Sequence, residues 1–126
     1  MLKIPEITSK NFVILIKDNP EKIELLIKGN IDIPNPDQII TPFFTKLDSE
    51  ILRCKLKEIS IDIKELDFIN SSGIKILLKF VMNILRRTRD EQYNINFIYD
   101  QKVKSQKTRF NSILFLAPDI VKFIPL

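Results

Sequence analysis

The run from Ile74 to Leu85 constrains this chain most, because its apolar residues recur at helical spacing on two adjacent stripes. Ile74, Leu77, Leu78, Val81 and Leu85 fall at i, i+3, i+4, i+7 and i+11, and Ile76, Phe80 and Ile84 form the second stripe. Only Lys75, Lys79, Asn83 and Arg86 remain for a narrow polar face. Such a helix is either deeply packed or keeps apolar surface for a partner. Lys75, Lys79 and Asn83 interrupt it, so it falls short of the roughly 18 uninterrupted apolar residues of a membrane span. Arg86, Arg87 and Arg89 close it, where cations complement the helix dipole. Upstream, Glu58 to Ile63 alternates with Ile59, Ile61 and Ile63 on one face, the pattern of a strand.

The remaining elements follow from the same periodicities. Phe12 to Lys17 and Lys22 to Lys28 read as two strands joined by a turn at Asp18-Asn19-Pro20, hence a hairpin. Gly29-Asn30 opens a loop through Pro34 and Pro36, where strand pairing cannot continue. Thr41-Pro42 reads as a helix start, with Thr41 as N-cap and Pro42 in the first helical position. Phe43, Phe44, Leu47, Ile51 and Cys54 then share a face, and Cys54 reads as a small core residue. Asn94 to Tyr99 is a further strand. Ser105 caps a helix presenting Phe110, Ile113, Leu114 and Ala117 and stopped at Pro118, and Ile120 to Ile124 is a last strand. The order is β-β-α-β-α-β-α-β. It implies an α/β fold, a mixed sheet of about five strands with helices packed on it, as one domain spanning residues 1–126.

Composition narrows the function. The 126 residues include no histidine, which removes the commonest general base, the Ser-His and Cys-His pairs and most zinc sites. Two glycines leave no Walker or Rossmann loop, so no cofactor is implied. Cys54 is the only cysteine and has no intrachain disulfide partner, which suits a reducing cytosol. MLKIPEITSK lacks the apolar core of a secretory signal, so the expectation is a cytoplasmic, non-enzymatic protein without a membrane span. Charge is uneven. Residues 1–74 carry 10 basic and 12 acidic groups, whereas residues 75–126 carry 10 and 4. A basic C-terminal half suits an acidic surface or a phosphate.

Chemistry concentrates at the corner Leu66-Asp67-Phe68-Ile69-Asn70-Ser71-Ser72-Gly73, where a helix begins with unpaired N–H groups and a positive dipole end. On local pattern Asn70, Ser71 or Ser72 serves as a cap. The functional alternative is a phosphorylation switch, since phosphoserine adds about −2 charge at a site that tolerates an anion. The segment ISIDIKELDFINSSGIKILLKFV resembles the central signature of the STAS domain family (sulfate transporter and anti-sigma factor antagonist). In that family an alternating strand, a Leu-x-Phe-Ile corner and Asp-Ser-Ser-Gly lead into an apolar helix. Gly29-Asn30-Ile31-Asp32 resembles the family's acidic turn. The resemblance spans roughly residues 11–125 and implies a bacterial anti-sigma factor antagonist. Its partners would be a serine kinase that also acts as the anti-sigma factor and a serine phosphatase.

Carried over by residue, the resemblance makes Ser71 the phosphoacceptor, with Ser72 as the adjacent hydroxyl. Asp32 falls on the acidic turn residue near the kinase-binding surface, and Asn70, Gly73 and Lys75 complete the partner-binding set. Asn70 replaces the usual aspartate, and Asn30 the usual glutamate. The loss of the aspartate removes a charge that would repel a phosphate, and it also alters what a kinase would recognise. Ser72-Gly73-Ile74-Lys75 matches the Ser-x-x-Lys of penicillin-interacting enzymes, but Ser-Asp-Asn and Lys-Thr-Gly are absent. Asn70-Ser71-Ser72 fits a glycosylation sequon, which has no weight without export. The alternative function is a small basic nucleic-acid-binding protein using Lys102, Lys104, Lys107 and Arg109. Those residues have no stacking aromatics interleaved with them.

Overall fold

A computed structural model describes residues 4–18 and 22–126 of the chain. Seven strands form one mixed sheet: Ile7–Thr8 (β1), Phe12–Asp18 (β2), Ile23–Ile31 (β3), Glu58–Asp62 (β4), Leu66–Ile69 (β5), Asn94–Tyr99 (β6) and Val121–Pro125 (β7). Among the described residues the helices are Asp37–Cys54 (α1), Ser71–Leu85 (α2) and Lys104–Leu116 (α3), with a 3-10 turn at Arg89–Glu91. The sheet runs β1-β2-β3-β4-β6-β7, and β5 pairs with β3 off that path. β1, β2 and β3 are antiparallel neighbours, whereas the pairs β3–β4, β3–β5, β4–β6 and β6–β7 are parallel. The expected α/β class and mixed sheet hold. The expected strand count and order gain two short members, β1 and β5, which at two and four residues are too brief to show a period.

β5 exists because β3 is longer than its sequence implied. Gly29-Asn30 does not open a loop; β3 continues to Ile31. Gly29 takes φ +96 at a register shift between Gly29 and Asn30, the irregularity that a residue without Cβ makes possible. Ile23 to Leu26 of β3 pair with Ile59 to Asp62 of β4, and Gly29 to Ile31 pair with Leu66 to Ile69 of β5. One strand thus serves two partners in succession. The expected turn residues Asn19 and Pro20 lie outside the described residues.

Both flanking helices begin differently from their expected caps. α1 starts at Asp37, so Thr41 is no N-cap and Pro42 lies inside the helix. The Thr41 hydroxyl donates instead to Asp37 Oδ1 at 2.6 Å. Ile40, 3% exposed, extends the stripe of Phe43, Phe44, Leu47 and Ile51 back by one turn, and its burial offsets the backbone bond that Pro42 forfeits. Cys54 is exposed at the last helical residue, beyond the stripe, and is not a core residue. In α3, Ser105 lies within the first turn and does not cap; Val103 precedes the helix with no side-chain cap. Gln106 anchors that end, accepting from the Asp100 N–H and donating to the Lys64 carbonyl, both at 2.9 Å.

Ile59, Ile61 and Ile63 are fully buried in one core with Ile14, Leu25, Phe97 and the inner faces of the helices. α2 lies between α1 and α3 and touches both. Its innermost residues are Gly73, Ile76, Leu77, Phe80, Val81 and Ile84, while Ile74, Leu78 and Leu85 of the first stripe stay half-buried. Polar bonds lock the far end of α2. Both terminal nitrogens of the Arg87 guanidinium donate to Asp48 of α1, and the Tyr93 hydroxyl donates to Asp48 Oδ1 at 2.6 Å. Burial raises the Asp48 pKa, but the bonds from Arg87 and Tyr93 outweigh it and hold the carboxyl below its usual range. Burial and the same carboxylate push the Tyr93 hydroxyl up, so it remains a donor.

Two outcomes follow for stability. Gly29→Ala should lose about 1–3 kcal/mol in urea unfolding, because φ +96 is strained for alanine and a Cβ would stand 2.3 Å from the Asn11 carbonyl oxygen. Asp48→Asn should lose about 1–3 kcal/mol at neutral pH. A depressed folded-state pKa gives stability that is present above the unfolded value near 4 and lost as pH falls through the lower folded value. The gap between wild type and Asp48→Asn should therefore be constant from pH 7 to about 5 and close below about pH 4. Urea midpoints measured across that range check both.

Candidate functional site

The corner between β5 and α2 is built by Asn70. Its backbone N–H donates to the Ile31 carbonyl at 2.8 Å, continuing the β3–β5 pairing by one residue. Its side-chain oxygen accepts from the Gly73 N–H at 2.9 Å, an N-cap bond at the start of α2. Its side-chain nitrogen donates to the Ile33 carbonyl at 3.0 Å. A single amide thus caps the helix and ties down the segment that carries Asp32. Aspartate, an acceptor only when ionised, would keep the cap and lose the bond to Ile33.

Gly73 fits because the first turn of α2 lies against the end of the sheet. A Cβ there would stand 2.7 Å from Ile69 Cγ1 and 3.3 Å from Ile31 Cγ2. The close approach places Ser71 and Ser72 at the two first helical positions, both exposed. Neither hydroxyl hydrogen-bonds to another described residue, because Asn70 already provides the cap. Asp32 is exposed just beyond β3, and Lys75 is exposed on the first turn of α2. The structure therefore gathers all six sequence-derived candidates at one corner. Asp32 and Lys75 arrive there from separate elements.

A groove of about 560 Å³ opens beside Ser71. Phe68 of β5 and Ile74 and Leu78 of α2 give it an apolar floor, and Lys75 and Arg109 stand at its rim. The Arg109 guanidinium carbon lies 4.6 Å from the Phe68 ring centroid, and Nη1 donates to the Ile69 carbonyl at 3.3 Å. Sequence reasoning placed Arg109 with Lys102, Lys104 and Lys107. In the structure it leaves that group and reaches the β5 corner some forty residues away in sequence. No local pattern signals this, because it depends on α3 packing beside α2. A smaller hollow of about 170 Å³ lies between α1 and α2. Its Asp48 is held by Arg87 and Tyr93, and its Thr41 by Asp37.

Among the described residues no group of His, Cys, Asp and Glu is placed to hold a metal ion. No described helix is long and apolar enough to cross a membrane. No family model matches the sequence, and no curated protein matches it. Solved structures do match. An anti-sigma factor antagonist from Mycobacterium paratuberculosis superposes with a TM-score of 0.59 at 13% identity, covering 95% of this chain and 92% of that one. An uncharacterised DUF3478-family protein with a SpoIIAA-like fold from Shewanella loihica gives 0.53 at 21% identity, covering 98% and 90%. With likeness over nearly the whole length of both, the chain shares the SpoIIAA-like fold of these two proteins.

Proposed function

We propose that this protein is a non-catalytic bacterial regulator, acting in the cytoplasm in the manner of an anti-sigma factor antagonist. It docks a serine kinase or anti-sigma-like protein through the β5–α2 corner, and phosphorylation of Ser71 gates that docking. One observation carries the reading. Asn70 caps α2, so the exposed Ser71 hydroxyl has no structural duty while standing at the rim of an open apolar groove. Ser72 is the alternate acceptor. Asp32, Asn70 and Lys75 complete the contact surface, and Gly73, itself buried, serves it indirectly by letting the helix start lie low against the sheet.

The kinase would transfer the γ-phosphoryl of ATP to the Ser71 oxygen, with ADP leaving and the hydroxyl proton passing to solvent or a kinase base. Two negative charges then stand where a partner's apolar surface has to dock. Desolvating them disfavours the complex, while a helix N-terminus tolerates them by about 0.3–1 kcal/mol. A serine phosphatase, by hydrolysis, restores the hydroxyl. Nucleic acid fits less well, because Arg109 is diverted from the basic group and Lys102, Lys104 and Lys107 have no aromatic residue interleaved among them in sequence.

The test uses the kinase or anti-sigma protein recovered with the chain from its source cells. Ser71→Asp should keep or slightly raise the melting temperature while weakening that partner at least about tenfold, equivalent to 1.4 kcal/mol. A chain stoichiometrically phosphorylated at Ser71 should bind more weakly still. Equal partner affinity with and without phosphate on Ser71 contradicts the proposal. So does micromolar binding of RNA or DNA at physiological salt that requires Lys102, Lys104 and Lys107, with the steep salt dependence of phosphate contacts.

A further inference from the structure

The groove beside Ser71 has a charge character that docking of an apolar surface does not explain. Its two cations come from different helices, Lys75 from α2 and Arg109 from α3. Neither has a carboxylate within ion-pairing distance among the described residues. Arg109 is held only by a long bond to a backbone carbonyl and by the face of Phe68. Both contacts are weak beside what a guanidinium gains from a doubly charged oxyanion, which it meets with two parallel N–H donors. The first turn of α2 carries no acidic residue, and Asn70 is neutral with both ends of its amide engaged. The acidic groups on the segments that meet here are Asp32 beyond β3 and Asp67 on β5, both exposed.

We infer that Arg109 and Lys75 form a receptor for the phosphate of phosphoserine 71 within the same chain. This deepens the proposed function and rests on Ser71 as its acceptor. Phosphorylation draws Arg109 off the Phe68 ring and the Ile69 carbonyl and onto the phosphate oxygens, with Lys75 joining from one helical turn along. The phosphate then does more than repel a partner. It takes up the two rim cations that an acidic partner segment would otherwise use and rearranges the groove by uncovering Phe68. The occupant suited to the unphosphorylated groove is accordingly an apolar segment flanked by carboxylates, for which phosphoserine is an internal competitor. Arg109 acts here as a reader of the modification and has no part in making it.

The test needs no kinase or partner. Phosphoserine is installed at position 71 of the full chain by genetic encoding or ligation, and its second ionisation is followed by phosphorus NMR. In the wild-type background that pKa should lie below the value in urea by about half a unit or more, modest because the pair is exposed. Arg109→Gln should return most of the shift, and Lys75→Gln part of it. Lys75→Gln lies on an exposed helix face and also serves if Arg109→Gln fails to fold. Arg109→Lys keeps the charge but loses the fork, and should retain less than the wild-type shift. The inference is overturned if the folded phosphoprotein shows the urea value, or if no variant moves it. A shifted phosphate with unchanged partner affinity would instead refute the regulatory reading and leave the receptor standing.

Discussion

The corner between β5 and α2 depends on the hydrogen bonds of one residue, Asn70. Asn70 closes α2 with its oxygen and holds the Ile33 carbonyl with its nitrogen, while its backbone N–H extends the sheet to Ile31. Helix, strand end and the Asp32 loop are joined at one residue. That arrangement sets the helix start low on the sheet, and only a glycine fits at position 73, where a side chain would meet Ile69 and Ile31. It also relieves the two serines of capping. The Ser71 hydroxyl has no hydrogen bond to another described residue.

The same economy recurs elsewhere in the fold. Gln106 anchors α3 through two bonds that span the β4–β5 turn and the end of β6, with no serine cap. Asp48, Arg87 and Tyr93 join α1, the end of α2 and the start of β6. Buried or half-buried polar groups such as these fix how helices sit on a sheet, a choice that apolar contact alone leaves loose. α2 is gripped at both ends by such bonds. Its half-buried apolar side, Ile74 and Leu78 among it, is left at the groove.

How much of this was legible in the sequence follows from the range of each interaction. Strands with strict alternation, such as Glu58 to Asp62, and the doubly apolar α2 were legible because a whole face records their burial. The true start of α1 was hidden because Thr41-Pro42 mimics a cap, while Ile40 owes its place to tertiary burial. β5 was hidden because its pairing with β3 depends on Gly29, far away in sequence. At the corner the residue types were legible, but which of Asn70, Ser71 and Ser72 forms the cap was left open by local pattern. Local sequence groups Arg109 with Lys102, Lys104 and Lys107, whereas its partners Phe68 and Ile69 are brought to it only by the packing of α3 beside α2.

Asn70 caps α2, and the Ser71 hydroxyl bonds to no other described residue. Urea unfolding of three variants, Asn70→Ala, Ser71→Ala and Ser72→Ala, measures the cap directly. Asn70→Ala should lose about 1–2 kcal/mol, the worth of an N-cap, whereas Ser71→Ala and Ser72→Ala should each stay within about 0.5 kcal/mol of wild type. A loss at Ser71→Ala as large as that at Asn70→Ala would show the serine to be part of the cap and Asn70 not to suffice.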